Sequence, residues 1–252
     1  MNKQTEILGL KIAYSIFSPD KNSKRTLVFL HGWGGTKESW EKNITVLSKS
    51  FDCIAIDLPG FGECQTPDKI WGTFEYASFL KEFLDKLHIH SPVLIGKSFG
   101  GRVAIVFASK WPNSVKRLIL ISAAGIEEKS LHLRIQIEIA KVFKNLLSLV
   151  PGLDVEAVRR VYYQRRNIKE ESKYKREVKK IVTNQDLQDR LSAISTPTLI
   201  VWGSNDQVLP VQYAERLQSG IKNSSLKIIQ DGDHWVHQNK SDEFNRIVVD
   251  FV

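Results

Sequence analysis

Ser98 is the residue that this sequence presents most clearly as a nucleophile. It lies in Gly96-Lys97-Ser98-Phe99-Gly100-Gly101, between an apolar run at 92–95 and a helix-compatible run at 102–108. A serine hydroxyl is a weak nucleophile, so it must be held clear of its neighbours and close to a base and to oxyanion donors. Glycines two residues before and after Ser98 permit a sharp turn from strand to helix, because a side chain there would collide with the folded-back backbone. The pattern therefore predicts a nucleophile elbow.

A nucleophilic serine needs a general base, and the chain has 6 histidines. His234 follows the last predicted strand directly, in a loop at the same end of the sheet as Ser98. His31 opens a loop after an earlier strand, and His237 stands near the start of the last predicted helix. The other three lie in helical or helix-end stretches: His88, His90 and His132. The position after the final strand favours His234 as the base, and a solvated loop histidine is the alternative.

The base needs a carboxylate that fixes its tautomer and stabilises the imidazolium. Asp206 follows the predicted strand that ends at Trp202, which gives the chain order Ser98, Asp206, His234 expected for this type of sheet. Three other aspartates compete for the role. Asp231 and Asp233 are too close in sequence to His234 to reach around its ring, and Asp57 is expected to tie down its own loop: Asp206 is favoured.

The oxyanion of an acyl-transfer intermediate needs two backbone N–H groups. Phe99 supplies one because it begins a helix, whose first amides are unpaired and lie at the positive end of the dipole. Trp33 is the predicted second donor, since the glycines at 32, 34 and 35 let its loop curl toward the site. These glycines fit no phosphate-loop or dinucleotide-binding spacing, and no metal-ligand spacing occurs. We therefore predict neither a cofactor nor a metal.

The elements that position these residues alternate between strand and helix. Apolar runs at 26–30, 53–57, 93–96 and 117–121 are separated by helical stretches at 39–48, 74–87 and 99–111. A hairpin of two antiparallel strands around Gly9 precedes them. Strands at 197–203 and 226–229 follow, with helices at 211–218 and 242–251. Such alternation predicts a mostly parallel α/β sheet with helices on both faces and sites at the carboxyl ends of its strands.

The alternation stops between residues 125 and 190, which predicts a helical insertion between two core segments, 1–124 and 191–252. Three helices are predicted within it, at 131–147, 158–162 and 174–182. The first of them is apolar on more than one side. Fifteen Lys and Arg against ten Asp and Glu give the insertion a net charge of about +5. The apolar helix predicts an apolar substrate pocket. The basic residues either attract anionic substrates or form a solvated face.

Composition limits the possible function classes. The charge is +8 with a pI near 9.4, but no nucleic-acid motif or basic stripe with interleaved aromatics accompanies it, so nucleic-acid binding is not predicted. Apolar runs are far shorter than the roughly 20 residues of a membrane span. Neither a signal peptide nor a disulfide between Cys53 and Cys64 is expected, which favours a cytoplasmic protein acting on a small molecule. The oligomeric state is not indicated.

The five motifs together resemble the α/β-hydrolase superfamily. In chain order they are His31-Gly32-Trp33-Gly34-Gly35, Asp57-Leu58-Pro59-Gly60-Phe61-Gly62, Gly96-Lys97-Ser98-Phe99-Gly100-Gly101, Gly203-Ser204-Asn205-Asp206 and Gly232-Asp233-His234-Trp235. Within the superfamily the chain is similar to small bacterial carboxylesterases and carbon–carbon bond hydrolases. The resemblance implies an eight-stranded sheet and assigns 125–190 as a cap over the site. Lys97 and Cys64 depart from residues that many members carry.

The predicted activity is hydrolysis of an ester-type bond in a small, largely apolar acyl compound, through an acyl-enzyme. Carbon–carbon bond and thioester hydrolysis use the same triad and remain alternatives. Dehalogenase and epoxide hydrolase chemistry is disfavoured, since those members resemble this fold but carry aspartate at the position of Ser98. The alternative outside enzymology is a ligand-binding protein on a hydrolase scaffold, because a fold does not fix a function.

Overall fold

A single sheet of eight strands forms the centre of the molecule, which a computed structural model describes over residues 1–19, 25–126 and 171–252. In chain order the strands are β1 Asn2–Ile7, β2 Leu10–Phe17, β3 Thr26–Leu30, β4 Asp52–Ile56, β5 Val93–Lys97, β6 Arg117–Ile121, β7 Thr198–Gly203 and β8 Ser224–Ile229. Their order across the sheet is β1-β2-β4-β3-β5-β6-β7-β8. The first two strands pair antiparallel, as does β2 with β4, and all other pairs are parallel. The predicted fold class is confirmed.

Helices cover both faces of this sheet. Within the described ranges they are α1 Glu41–Leu47, α2 Thr73–Lys86, α3 Phe99–Lys110, α4 Lys173–Val182, α5 Gln212–Gly220, α6 Val236–Asn239 and α7 Ser241–Phe251. Short 3₁₀ turns lie at Lys37–Trp40, Pro112–Ser114 and Gln188–Ala193. None of the helices in the described part of the chain has the length and apolarity that crossing a bilayer requires.

Strand β3 shows why the sheet needs two layers of helices. Val28 and Leu30 belong to a buried cluster that includes side chains of α2, α3 and α5. Leu27 and Phe29 point to the other face and join a cluster with α1 and α7. A strand buried on both faces must be apolar on both, as residues 27–30 of β3 are. The sheet is therefore supported by two separate cores.

Helix α4 lies within the predicted insertion and packs directly on the core. Its residues Tyr174, Val178 and Val182 are buried. The Tyr174 ring occupies the space beside Gly60, where an added Cβ would lie 2.6 Å from Cε1, and Gly60 has a φ of +83°. This helix was predicted at 174–182 and is confirmed. The helices predicted at 131–147 and 158–162 lie outside the described residues.

Candidate active site

Ser98 lies at the turn between β5 and α3, where the elbow was predicted. Its φ of 51° and ψ of −110° fall in a region that L-residues adopt only under constraint. The constraint comes from backbone hydrogen bonds on both sides. The Ser98 N–H donates to the carbonyl of Ile121 at 2.9 Å, and its own carbonyl accepts from the N–H groups of Arg102 at 3.0 Å and Ala124 at 3.1 Å.

The glycines around Ser98 are required by close packing of backbone against backbone. A Cβ added to Gly96 would lie 2.5 Å from the carbonyl oxygen of Gly100. One added to Gly100 would lie 2.3 Å from the carbonyl oxygen of Leu30, in the neighbouring strand β3. Rigid backbone atoms cannot move aside as a side chain could. The two-residue spacing of glycines around Ser98 thus has the steric cause that the sequence suggested.

The predicted base and acid meet Ser98 in a hydrogen-bonded chain. His234 Nε2 is 3.3 Å from Ser98 Oγ, and His234 Nδ1 is 2.8 Å from Asp206 Oδ2. A carboxylate only accepts, so Nδ1 carries the hydrogen and Nε2 is left to accept from the serine hydroxyl. Both partners of this pair are buried, with His234 4% and Asp206 6% exposed.

Asp206 is held as an anion by donors around its carboxylate. Its Oδ1 accepts from the backbone N–H groups of Val208 at 2.9 Å and Leu209 at 2.8 Å. Burial alone raises the pKa of the Asp206 carboxyl, but the hydrogen bonds from His234 and Leu209 outweigh it and leave the pKa below its usual value. The geometry can therefore keep a negative charge behind His234.

The two predicted oxyanion donors lie together beside Ser98. The rings of Trp33 and Phe99 are 5.2 Å apart at nearly right angles. A Cβ added to Gly32 would lie 3.4 Å from Ser98 Cβ, which brings the loop of Trp33 against the nucleophile. Within the described ranges, neither the Trp33 N–H nor the Phe99 N–H donates to a protein acceptor. Both amides are available to a ligand at this corner.

The competing residues Asp57 and His31 are occupied elsewhere. Asp57 accepts from the backbone N–H groups of Lys37 at 2.6 Å and Glu63 at 3.0 Å, so it ties down its own loop as predicted. The His31 ring donates from Nδ1 to the carbonyl of Gly32 at 2.8 Å and accepts at Nε2 from the N–H of Leu58 at 3.0 Å. Burial lowers the pKa of His31, which leaves a neutral ring with both nitrogens bonded to backbone.

His237 is also set apart from the reaction chemistry. It lies in the short helix α6 and is only 2% exposed, with its ring 4.6 Å from that of Trp40. Burial lowers the pKa of His237 to about 3, so the ring is neutral at physiological pH. His234 alone among the described histidines reaches Ser98.

Lys97 is a feature of the site that the sequence marked only as a departure from the family pattern. Its side chain is 6% exposed and its Nζ lies 5.2 Å from the centre of the Trp235 ring. Burial lowers the pKa of the Lys97 ammonium to about 8, although the charges of Asp206 and Asp233 act in the opposite direction. The position of a lysine at the end of a buried strand was the only sign in the sequence that Lys97 belongs to the site. Nothing in the sequence indicated that this lysine has no carboxylate partner among the described residues.

The predicted insertion also reaches the site through α4 and the residue preceding it. The Trp33 indole donates from Nε1 to Glu171 Oε1 at 2.7 Å. Lys175 Nζ stands 4.9 Å above the Phe61 ring, and Lys179 Nζ stands 5.7 Å above Trp33. Some of the basic residues that the sequence placed on this segment therefore lie on aromatic rings next to the candidate site.

Cys53 and Cys64 play no part in this arrangement. Both are free and buried, and burial raises the pKa of each thiol to about 12. Cys64 Sγ donates to the carbonyl of Asp57 at 2.9 Å, as a serine hydroxyl could, which is consistent with a neutral replacement. Among the described residues, no group of His, Cys, Asp and Glu is arranged to hold a metal ion.

Comparisons with known proteins find similarity along most of the chain. A sequence model of the alpha/beta hydrolase fold matches residues 25–186 and 147–241. The 2-hydroxy-6-oxononadienedioate/2-hydroxy-6-oxononatrienedioate hydrolase of Klebsiella pneumoniae is 29% identical over 92% of this chain and 88% of its own length. The protein of that name in Escherichia coli K12 is 30% identical over 90% and 86%. A crystal structure of a membrane phospholipase A superposes with a TM-score of 0.81 at 26% identity, covering 100% of this chain and 85% of that one.

Proposed function

Because the chain belongs to the alpha/beta hydrolase family and is an enzyme of that type, we propose that it is a serine hydrolase that cleaves an ester-type acyl compound. One observation carries the proposal. Ser98 Oγ, His234 and Asp206 form a continuous hydrogen-bonded chain, with 3.3 Å between serine and histidine and 2.8 Å between histidine and aspartate. Nothing in the fold requires three polar side chains to meet at this edge of the sheet, whereas nucleophilic catalysis does.

In the acylation step, Ser98 Oγ attacks the carbonyl carbon of the ester while His234 Nε2 takes the hydroxyl proton. The carbonyl oxygen becomes an oxyanion, which accepts from the N–H groups of Trp33 and Phe99. Collapse of this intermediate breaks the bond to the leaving alcohol, and His234 returns the proton to that oxygen. The product is an alcohol and an acyl group bonded to Ser98.

In the deacylation step, water takes the place of the alcohol. His234 removes one proton from the water as its oxygen attacks the acyl carbon, and the same proton then passes to Ser98 Oγ as the acid leaves. Asp206 keeps the Nδ1 hydrogen of His234 in place and stabilises the imidazolium in both steps. The donors on Asp206 Oδ1 hold that carboxylate in the required orientation.

An aromatic cluster beside Ser98 supports the proposal of a largely apolar substrate. The rings of Trp33, Phe61 and Phe99 contact one another at centroid distances of 5.2 to 5.9 Å. Trp235, directly after His234, is 47% exposed. We also propose that residues 125–190 form the cap over this site. The contacts of Glu171 and Lys175 with the rings of the cluster support that assignment for the described part of the segment.

Labelling and kinetics together test the assignment of the nucleophile. A fluorophosphonate probe should label the wild type once, and Ser98→Ala should lose the label and about 10³-fold or more in kcat/KM for short acyl esters. Ser109→Ala is the matched control, because Ser109 lies in the same helix α3 and its hydroxyl donates to the backbone carbonyl of Val106. A label on another residue, or full activity in Ser98→Ala, would refute the assignment.

Carbon–carbon bond hydrolysis is the second candidate, and the named relatives favour it. The Klebsiella pneumoniae and Escherichia coli proteins are described as 2-hydroxy-6-oxononadienedioate/2-hydroxy-6-oxononatrienedioate hydrolases. The same triad serves ester and thioester substrates, so the comparison must be kinetic. A panel of an ester, a thioester and a dienoic acid of this kind should show which bond has the highest kcat/KM. Tight binding without turnover of all three would indicate a binding protein instead.

A further inference from the structure

Lys97 carries an ammonium on a largely buried side chain next to the candidate nucleophile. Lys97 is 6% exposed at the end of β5, one residue before Ser98. Among the described residues, its Nζ forms neither an ion pair nor a hydrogen bond, and its contact is the Trp235 ring at 5.2 Å. Burying an ammonium without a carboxylate partner costs free energy, and a cation–π contact recovers only a part of it. A charge that the described residues leave without a counter-ion is a candidate for binding an anionic ligand.

The direction of the side chain places this charge close to Ser98. A Cβ added to Gly32 would meet Lys97 Cδ at 2.8 Å, Lys97 Nζ at 3.1 Å and Ser98 Cβ at 3.4 Å. The ammonium and the nucleophile therefore flank the same point, where the loop of the proposed oxyanion donor Trp33 begins. A group bound to Nζ can be separated from the carbon that Ser98 attacks by only a few bonds.

We propose that Lys97 binds a carboxylate of the substrate, and that the enzyme prefers acyl compounds with a carboxylate a few bonds from the scissile carbonyl, such as half-esters of short dicarboxylic acids. The inference rests on the proposed function, since it takes Ser98 as the attacking group. It adds a polar contact beside the aromatic rings of Trp33, Phe99 and Trp235. The substrate class is thus a short anionic acyl group rather than a neutral one.

The chemistry of this contact gives discrimination as well as binding. An ammonium and a carboxylate form a charge-assisted hydrogen bond, which is stronger when water is excluded. A neutral acyl chain leaves the ammonium buried and unpaired, and a site with an unpaired polar group rejects the analogue that lacks its partner. The groups that face Lys97 permit the charge: Asp206 and Asp233 favour it, and His237 is neutral at physiological pH.

Matched esters test the preference. Monoethyl succinate and ethyl butyrate have acyl chains of equal length and differ in the terminal carboxylate. We expect the wild type to have the higher kcat/KM for monoethyl succinate, and Lys97→Met to lower the ratio of the two values about tenfold or more. Lys97→Gln should do the same and serves if the methionine variant folds poorly. Lys110→Met is the control. Lys110 is the last residue of helix α3, which follows Ser98, and its Nζ likewise stands over a tryptophan ring, that of Trp111.

A binding measurement separates this inference from the proposed reaction. In the Ser98→Ala background, calorimetry should detect monoethyl succinate, and the added Lys97→Met change should weaken its binding about tenfold or more. Equal loss for both esters in Lys97→Met, or unchanged binding of monoethyl succinate, would show that Lys97 only supports the structure. Failure of Ser98→Ala to bind monoethyl succinate would also overturn the inference. Absence of ester turnover with intact, Lys97-dependent binding would overturn the proposed reaction alone.

Discussion

Two corners at the same edge of the sheet contain the same kinds of buried residue: one holds Lys37, Asp57 and His31, and the other holds Lys97, Asp206 and His234. In the first, which we call the Asp57 corner, Lys37 Nζ pairs with the carboxylates of Glu38 at 2.8 Å, Asp57 at 3.2 Å and Glu63 at 2.8 Å. Both nitrogens of the His31 ring bond to backbone there. Every charge has its partner.

The second, the Ser98 corner, is incomplete by comparison. Its lysine has no carboxylate within ion-pair distance among the described residues, and its histidine points Nε2 at a serine in a strained conformation. The two amides proposed as oxyanion donors, those of Trp33 and Phe99, have no acceptor among the described residues either. The difference indicates that residue type and burial do not identify a functional site at this edge. Among the described residues, the Ser98 corner differs from the Asp57 corner in having a lysine without a carboxylate and two backbone amides without an acceptor.

Replacing the histidine in each corner should have the largest and most different effects. His234→Gln removes the proposed base, so we expect kcat/KM to fall about 10³-fold or more with little change in unfolding midpoint. His31→Gln disturbs a buried backbone contact, so it should lower stability by about 2 kcal/mol and leave kcat/KM within a few-fold at temperatures where the variant is folded. Ester kinetics and urea unfolding of both variants check this. Equal losses of kcat/KM in His234→Gln and His31→Gln would show that the two corners do not differ in function.

Replacing the lysine in each corner should move stability in opposite directions. Lys37→Met leaves the fully buried carboxylate of Asp57 without its ion pair, which should cost about 3 kcal/mol. Lys97→Met removes an ammonium that has no such partner and puts an apolar chain in its place, so stability should stay the same or rise. Urea unfolding at pH 7 measures both. A comparable loss in Lys97→Met would mean that Lys97 has a stabilising partner.

The pH dependence of stability should separate the two lysines next. The pKa of Lys97 is about 8 in the folded protein against 10.5 in the unfolded chain, so between these values the unfolded chain holds a proton that the folded protein has lost. Stability contributed by this group therefore rises with pH across that window, by about 2 kcal/mol between pH 7 and 10. The pKa of Lys37 is raised above its ordinary value of 10.5, so its contribution to the stability of the fold is complete below about pH 10.5 and is lost only at higher pH.

Urea unfolding of the wild type and Lys97→Met at pH 7 and 10 isolates this contribution, since every other group is common to the two proteins. The free energy of unfolding of the wild type should increase relative to that of Lys97→Met as the pH rises. Over the same range the preference for monoethyl succinate over ethyl butyrate should decline, because an uncharged amine no longer attracts the carboxylate. A gap in stability that does not change with pH would contradict the assignment of a depressed pKa.

The sequence was sufficient to predict the parts of this molecule that local spacing controls. The glycines two residues before and after Ser98 predicted the elbow. The positions of Asp206 and His234, each in the loop after a predicted strand, predicted which loops lie next to Ser98. Helix and strand boundaries agreed to within about one to three residues. The helix predicted at 39–48 instead begins as a 3₁₀ turn at Lys37–Trp40 and continues as α1 Glu41–Leu47.

Properties that depend on several distant residues could not be predicted. The sequence places Lys37 and Glu63 26 positions apart and gives no sign that they pair. Lys97 differs from Lys37 only in what lies around it in space, which no spacing in the chain encodes. The contact between Glu171 and the Trp33 indole spans 138 positions and was missed for the same reason.

The smallest expected effect concerns the strain at Ser98, for which the φ of 51° provides the physical reason. Glycine adopts this conformation without a steric penalty, so Ser98→Gly should be about 1 kcal/mol more stable than Ser98→Ala, or about 2–4 °C in melting temperature. The same pair of changes at Ser109, within helix α3, should have the opposite order, because glycine is about 1 kcal/mol less favourable than alanine in a helix. Thermal unfolding of the four variants measures both differences. Alanine more stable than glycine at both positions would mean that the elbow stores no backbone strain.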